Sequence, residues 1–485
     1  MKYPEIKLNT LSNEIPIYSV RYTEYAKFSI YFFVNVGSVF EDKSVLGLSH
    51  FLEHMTFKKT SKFKSAIQLA SYLEKYGITF NAYTNKVKTC YYFKGPSTLK
   101  NLERICDVAK EMLFHMEIKD KDLEIERNII RQEYNSGKDD ITDIFYNLME
   151  QHYFNNHPLD NNVIGSITTI NKITKDDIIN FYQKYYTPDN IKIGVIGNVP
   201  KNYLNLLNKV LGHLPKKYNL HNKNGNSKIY SNPVNSISKS NKKVSQKLHL
   251  DEEKNISEQE LFLRREKNHT TTFGMVKPYN ERQCKTTITY YKINESHQSQ
   301  LGFLFGGKSI THKDSFMINT IADMIGGSGR YSNKFFDLIR EKYGLSYHIK
   351  TGQVQYIEGG FMYIYVKVNH KDIGQTIKVI SKELKNYTKL LITKDELKEF
   401  KTNFISRFDS LLESYDSLEE VYLDDLIYKF KEFNLQDYLE KIRKLTVDDI
   451  NKFASQFLQK NNYQVIVLQP KNTKMNIKII NERLK

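Results

Sequence analysis

The residues with the clearest chemical potential are two histidines and a glutamate in the run HFLEH at residues 50–54. On an α-helix, side chains four positions apart lie one above the other, so His50 and His54 can direct their ring nitrogens at one point, beside Glu53. Zinc hydrolases use three protein ligands and keep a fourth position for water, which a nearby carboxylate deprotonates. The run therefore predicts half of a zinc site. The alternative is a pair of helix histidines that only satisfy hydrogen bonds in the core.

A third ligand is available in residues 118–154, which have helical periodicity over much of their length. Glu126 and Glu133 lie seven residues apart in this segment, close to two helical turns with a drift of only about 20°, so both carboxylates project from nearly the same face. Either could bind the metal while the other orients a ligand histidine. A solvated charged face is the alternative, because Glu124 and Arg127 share the helix.

The elements that must position these residues are strands that precede and follow the histidine helix. Residues 28–36 (FSIYFFVNV) are rich in aromatic and β-branched side chains and indicate a buried strand. Residues 78–84 indicate a second strand, which pairs with residues 89–93 across a short turn. The sequence therefore predicts a helix with a zinc motif that packs on a β-sheet.

These motifs resemble those of the pitrilysin (insulinase) family of zinc peptidases, whose zinc motif has the inverted order H-x-x-E-H. The resemblance rests on GLSHFLEHMTFK at 47–58, NAYT at 81–84 and ERNIIRQE at 126–133, and it favours the branch that is similar to mitochondrial processing peptidase. It implies one Zn²⁺ per chain, with Glu133 as the third ligand and Glu126 as a supporting residue. Glu126 remains the second candidate ligand.

The chain also contains an internal repeat. The run TKDDIINF at 174–181 recurs 272 residues later as TVDDINKF at 446–453, and each copy precedes an apolar strand segment. Gly37 and Gly307 each follow an apolar strand and lie 270 residues apart, which supports the same register. We therefore predict two tandem homologous domains. By the resemblance, the fold is α+β, each domain is a mixed, mainly antiparallel β-sheet covered by helices, and the two domains form half of a clamshell.

The predicted domain boundaries follow from the repeat and from a change in composition. The catalytic zinc-peptidase domain is expected at 1–215, and a noncatalytic homologous domain at 284–485. Residues 216–283 are rich in Asn, Lys and Ser and have little apolar periodicity, which indicates a linker or an insertion.

The second copy has no counterpart of the zinc motif, because residues 320–324 contain neither histidine nor a replacement cluster. Its informative segment is DLIREKYGLSY at 337–347. There Arg340 and Tyr347 resemble the Arg/Tyr pair with which the family contacts substrate near the scissile bond, where they hold the peptide carbonyl and stabilise oxyanion charge. The alternative is a surface ion pair of Arg340 with Asp337 or Glu341, and a buried Tyr347.

Composition argues against several other classes of protein. The formal charge of +17 is spread along the chain with no recognition module, so nucleic-acid binding is not expected. No run approaches the roughly 20 apolar residues needed to cross a bilayer. The N-terminal segment shows neither a secretory core nor a transit pattern. Three scattered cysteines fit reduced thiols, and a cytoplasmic location is predicted.

One segment matches a nucleotide-binding motif. The run GFLFGGKS at 302–309 fits the phosphate-loop pattern G-x-x-x-x-G-K-S. A phosphate loop must follow a strand, whereas residues 302–305 are themselves apolar strand material. Nucleotide binding is therefore the minor alternative.

The predicted function is that of a zinc metalloendopeptidase that hydrolyses peptides or unfolded, presequence-like segments, with Glu53 as general base. The resemblance implies that substrate adds as an extra strand at Asn81 and Ala82. It also implies that positions ten and fourteen after Glu133, occupied here by Asp143 and Asn147, receive a basic substrate residue.

The predicted partner is a second copy of the chain or a related subunit. The family encloses substrate between four such domains, and this chain supplies two. A homodimer is expected, or a heterodimer with a related subunit, in which Arg340 and Tyr347 serve the zinc site of the partner. The alternative from another class is a noncatalytic core or assembly subunit of the same fold.

Overall fold

The computed structural model describes residues 4–137, 139–215, 279, 287–293, 296–326, 333–411, 414–424, 435–459 and 462–471. Most of the predicted linker at 216–283 lies outside these residues. The strands are β1 Lys7–Thr10, β2 Pro16–Arg21, β3 Lys27–Val34, β4 Thr79–Thr84, β5 Thr89–Pro96, β6 Ile191–Gly197, β7 Ile288–Ile293, β8 Ser299–Gly306, β9 Ile349–Gln355, β10 Gly360–Val368 and β11 Tyr463–Pro470.

Helices fill the intervals between the strands. In the first half they are α1 Leu48–Thr56, α2 Ala66–Glu74, α3 Leu99–Phe114, α4 Asp120–Gly137, α5 Ile141–Tyr153, α6 Ile167–Lys172, α7 Lys175–Tyr185 and α8 Tyr203–Leu211. In the second half they are α9 Ser315–Gly326, α10 Lys334–Phe336, which continues into a π-helical turn at Asp337–Lys342, α11 Ile373–Tyr387, α12 Lys394–Leu411, α13 Tyr415–Asp424, α14 Leu435–Lys444 and α15 Val447–Phe457.

The two sheets share one topology. The first has the order β1-β2-β6-β3-β5-β4 and the second the order β7-β11-β8-β10-β9. Apart from β1, each strand has a counterpart, and each sheet contains one parallel pair, β2 with β6 and β7 with β11, among antiparallel neighbours. The predicted α+β fold, with two similar halves that each contain a mixed, mainly antiparallel sheet, is confirmed.

Residues 30–34 of strand β3 form a continuous apolar run because both faces of the strand are covered. Phe32 and its alternate neighbours pack into the core of the first half, together with Phe51 of α1. Tyr31 and Phe33 point to the opposite face and join a cluster that is formed mainly by residues of the second half. A strand that is buried on both sides has no need for alternating polar residues. The central strand therefore anchors the histidine helix on one side and the second half on the other.

Each half contributes a helix to the sheet of the other half. Helix α5 packs Phe145 and Met149 against the second sheet, where a side chain at Gly302 would place its Cβ 3.1 Å from the Met149 sulfur. Helix α13 packs against the first sheet, where Glu419 accepts hydrogen bonds from Tyr31 and Lys94. The two halves are therefore joined by an exchange of helices.

The segment that matches the phosphate-loop pattern begins inside this second sheet. Gly302 pairs with Tyr365 of β10 and with Ile466 of β11, so residues 302–305 are part of a paired β-strand and do not form a loop. The structural context that the motif requires is absent there. Within the described ranges, no helix combines the length and the apolar character needed to cross a membrane.

Candidate metal centre

The two histidines lie on one face of α1, and their ring centroids are 4.7 Å apart. The opposite face of this helix carries Phe51, Leu52 and Met55, which are buried in the core of the first half. Because the apolar face is held by the sheet, the histidine face is directed towards α4. The four-residue spacing read from the sequence therefore places both imidazoles where a third ligand can reach them.

Glu133 of α4 faces both histidines. Its Oε1 lies 3.5 Å from Nε2 of His50, and its Oε2 lies 3.5 Å from Nε2 of His54. These separations are longer than a strong hydrogen bond. They match the spacing between ligand atoms in tetrahedral zinc, roughly 3.4 Å for bonds of 2.0–2.2 Å. The two nitrogens and the carboxylate oxygen all lie within 4.8 Å of one another, so this donor set fits a zinc ion.

Glu126 lies behind the histidines rather than between them. Its Oε2 is 3.0 Å from Nδ1 of His54, and its other oxygen forms an ion pair with Lys58. Only 2% of Glu126 is exposed. A carboxylate on the second ring nitrogen fixes the tautomer and the orientation of a metal-binding histidine. The sequence left Glu126 and Glu133 open as ligands, and the geometry places Glu133 on the side where both Nε2 atoms converge.

The pKa values of His54 and Glu133 are shifted by their contacts within this cluster. Burial disfavours a charged His54, but hydrogen bonds with Glu126 and Glu133 prevail and raise the pKa of its imidazole to about 9. Hydrogen bonds with His50 and His54 hold the pKa of Glu133 well below its usual range. These residues therefore attract a cation. Because a zinc ligand must be a neutral imidazole, zinc and a proton compete for His54, and zinc affinity should fall as the pH is lowered.

Glu53 is buried beside the cluster. Thr84, at the end of β4, donates a hydrogen bond to its Oε2. Burial raises the pKa of the Glu53 carboxyl, although the nearby His50 opposes this shift. A carboxylate whose pKa lies above the ordinary range accepts a proton more readily near neutral pH. The sequence motif at 81–84 contained Thr84 but gave no sign that it would contact Glu53.

Strand β4 forms the free edge of the first sheet. It pairs with β5 on one side, and no described strand lies on its other side. The backbone N–H of Ala82 points outwards, since it bonds to Oδ1 of Asn81 at 2.9 Å rather than to β5. An extended peptide could therefore add at this edge. Because β4 ends at Thr84, such a peptide would run towards Glu53.

Arg340 and Tyr347 also lie together. Arg340 is in the π-helical turn, and its guanidinium lies 4.3 Å from the ring centroid of Tyr347. Its Nε also lies 3.2 Å from Glu341, so the ion-pair alternative is present as well. Tyr347 is 74% exposed, and the alternative of a buried tyrosine is therefore wrong. Both side chains are presented on the second half as an adjoining pair.

Asp143 occupies the first turn of α5 and is exposed, as is Asn147 one turn later. Its backbone N–H bonds to Oδ1 of Asp140 at 3.4 Å. Within the part of the chain that is described, no contact joins Asp143 to the two histidines or to Glu133. Its assignment to a basic substrate residue stays a prediction.

The second half has an open cavity where the first has the candidate metal ligands. Helices α9 and α12 and strand β9, which correspond to α1, α4 and β4, contribute most of the lining of this cavity of about 1020 Å³. Asp323 and Arg407 form an ion pair of 3.4 Å in its wall. Among the residues that the structure describes, the first-half cluster is the one group of candidate metal ligands.

Fold and donor set together define a two-part α+β protein with a candidate divalent-metal centre in its first half. The chain belongs to the insulinase family, peptidase family M16. Residues 19–166 match that family, and residues 172–404 match its domain described as the peptidase M16 inactive domain. The more specific likeness to the mitochondrial processing peptidases stays a prediction.

Individual relatives agree with this assignment. An uncharacterized zinc protease of Bacillus subtilis, YmxG, is 24% identical over 465 residues, which cover 96% of this chain and 98% of the relative. The structure of a protease from Helicobacter pylori has a TM-score of 0.76 at 20% identity and covers 96% of this chain and 100% of that one. A chain of complex III2 from Candida albicans has a TM-score of 0.71 at 11% identity and covers 99% and 100%.

Proposed function

We propose that this chain is a zinc metalloendopeptidase in which His50, His54 and Glu133 hold one Zn²⁺ and Glu53 is the general base. The observation that carries the proposal is the approach of Glu133 to the Nε2 atoms of both histidines at 3.5 Å. When bound there, zinc would supply a Lewis acid that polarises the scissile carbonyl and lowers the pKa of the attacking water.

The protein residues manage the proton and the ligand geometry. Glu53 takes a proton from the attacking water and delivers it to the leaving nitrogen. Its raised pKa suits this exchange near neutrality, and the hydrogen bond from Thr84 holds the carboxylate in place. Glu126 holds Nδ1 of His54, so that Nε2 presents its lone pair to the ion.

The substrate is proposed to be a peptide or an unfolded segment that adds as a strand along β4. Main-chain bonds at Asn81 and Ala82 would give affinity with little dependence on sequence. Asp143 would favour a basic residue, although Asn147 supplies no second charge. The exposed edge of β4 and its approach to Glu53 through Thr84 support this orientation.

A cytosol-like compartment is also part of the proposal. Cys90 and Cys106 are both free and buried. Buried free thiols are typical of reducing compartments, where disulfides are rare.

Metal analysis provides the direct test of the function. The purified protein is expected to contain one zinc per chain and to cleave an unfolded peptide library. A chelator should abolish cleavage, and added zinc should restore it, whereas removal of nucleotide should have no effect. Zinc-free protein that still cleaved peptides would contradict the proposal.

The second candidate is a noncatalytic assembly subunit, which the likeness to a chain of complex III2 favours. That likeness concerns the fold. A subunit without chemistry has no need for Glu53 beside a complete donor set, and a site of this kind requires supporting contacts to persist. Failure of the zinc-loaded protein to cleave any peptide would favour this candidate.

We propose that the active form is a dimer in which Arg340 and Tyr347 serve the zinc site of the partner. A mixture of Glu53→Gln and Arg340→Ala chains should then recover roughly a quarter of wild-type activity, because random exchange makes half of the dimers mixed and restores one site in each. The measurement is peptide cleavage after the two variants have been incubated together. Each variant mixed with itself is the control, and activity no higher than that of either parent would count against exchange.

A further inference from the structure

Glu41 is a buried carboxylate at the start of the histidine helix. Only 8% of the residue is exposed. Its Oε2 accepts a hydrogen bond from the backbone N–H of Gly47 at 2.6 Å, and its Oε1 accepts one from Ser49 at 2.7 Å. Bonds from backbone N–H groups to a carboxylate are stronger than those between neutral groups. Both carboxylate oxygens of Glu41 therefore form hydrogen bonds with the backbone at the first turn of α1.

The N-terminus of α1 needs an acceptor from outside the helix, because its N-cap residue has no side chain. The first N–H groups of a helix lack partners within it, and a polar side chain at the N-cap usually accepts one of them. The N-cap here is Gly47, which has φ +98° and no side-chain cap. A Cβ at Gly47 would lie 2.6 Å from the carbonyl oxygen of Ile164, so a capping residue does not fit. Glu41 supplies the missing acceptor from six residues upstream. Burial raises the pKa of this carboxyl to about 7, and its ionised form suits the positive end of the helix.

His50 depends on this turn more than His54 does. Glu126 holds Nδ1 of His54, whereas Nδ1 of His50 is buried with no hydrogen-bond partner among the described residues. The ring of His50 is therefore oriented by its backbone. That backbone begins at Ser49, the residue whose N–H is held by Glu41.

We propose that Glu41 is a positioning residue for the metal centre, which holds the first turn of α1 so that Nε2 of His50 reaches the ion. This inference rests on the proposed function, because it assumes that the cluster binds zinc. Glu41 itself touches neither the ion nor the substrate. It acts through the backbone that carries His50.

Glu41→Gln tests the proposal, because an amide keeps one acceptor oxygen but turns an NH₂ group towards the second N–H. We expect its zinc affinity to fall by about 10- to 100-fold, the range seen when supporting contacts of metal ligands are removed. Affinity is measured by competition with a chromogenic chelator at fixed pH. The absorption bands of the Co²⁺-loaded variant should also shift, because they report ligand geometry.

Glu111→Gln is the matched control. Glu111 is 9% exposed and accepts a hydrogen bond from the backbone N–H of Lys62 at 2.9 Å, but it lies on α3 and contacts none of the proposed ligands. Both variants should lower the unfolding midpoint of the metal-free protein. Only Glu41→Gln should weaken zinc binding. A purely structural role for Glu41 would make the two variants alike.

Glu41→Asp separates geometry from charge and serves if Glu41→Gln does not fold. It keeps the carboxylate but shortens its reach by one methylene, so we expect a several-fold loss of zinc affinity. Wild-type affinity and an unchanged cobalt spectrum in a folded Glu41 variant would overturn the inference while the proposed function stood. A wild-type protein that bound no zinc would overturn both.

Discussion

Glu53→Gln is expected to keep zinc, and its rate of peptide cleavage should fall by about 10²- to 10⁴-fold, the usual contribution of a positioned general base. The amide has nearly the same shape as the carboxylate and can still accept the hydrogen bond from Thr84. It cannot take a proton from the attacking water. Because Glu53 is not one of the three proposed zinc ligands, the zinc content of the protein should not change. The measurements are zinc per chain and the rate of peptide cleavage.

Glu74→Gln is the matched control for this variant, since Glu74 is an exposed glutamate at the end of α2. It should keep both zinc and activity. A Glu53→Gln chain that cleaved peptides at the wild-type rate would show that another group removes the proton. Loss of zinc from the same variant would show that Glu53 contributes to metal binding instead.

Glu133→Gln is expected to cause the larger loss of zinc affinity, and Glu126→Gln the larger loss of stability. Glu126→Gln should lower zinc affinity by roughly 10- to 100-fold, as for other supporting carboxylates, and Glu133→Gln should lower it by more. The side chain of Glu133 is 49% exposed, so its loss should barely change the stability of the metal-free fold. Glu126→Gln should destabilise that fold by about 1–3 kcal/mol, because it weakens buried hydrogen bonds to His54 and Lys58.

The two measurements are zinc affinity by chelator competition and urea unfolding of the metal-free proteins. Each variant serves as the control for the other, since both replace a glutamate on the same helix. The reverse order of affinities would identify Glu126 as the ligand, which the sequence had left open.

The sequence could predict which side chains of the candidate metal centre share a helical face, because those relationships are local. A four-residue spacing fixes His50 and His54 on one helical face wherever that helix packs, and a seven-residue spacing does the same for Glu126 and Glu133. The choice between the two glutamates is not local. It depends on where along its length α4 crosses α1, and only the packed structure sets that position.

The contacts of Thr84, Lys58 and Glu41 were missed for the same reason. Thr84 reaches Glu53 because the hairpin of β4 and β5 folds back over α1, and no periodicity in the sequence describes that approach. Glu41 lies in the short polar run EDKS at 41–44, which carries no periodic signal. The signal that could have found it is Gly47, a glycine at a helix start, which leaves backbone donors for a residue elsewhere to accept.

One charged residue was also misjudged. The alternative of a solvated face on α4 grouped Arg127 with exposed neighbours, yet this arginine is buried. Its guanidinium donates to the carbonyls of Ile170 and Ile173, at the end of α6. The last carbonyls of a helix have no partners within it, so a buried arginine can satisfy them. These hydrogen bonds also hold α4 against α6, and α4 carries Glu133.

The exchange of α5 and α13 explains why the second half, whose described residues include no group of candidate metal ligands, belongs to this molecule. If the second half were deleted, Tyr31 and Phe33 would face water and Phe145 would have no sheet to cover. The half that carries the proposed chemistry would therefore expose part of its apolar core if it stood alone. The second half completes a shared interior, so the first half depends on it whether or not it carries reactive groups.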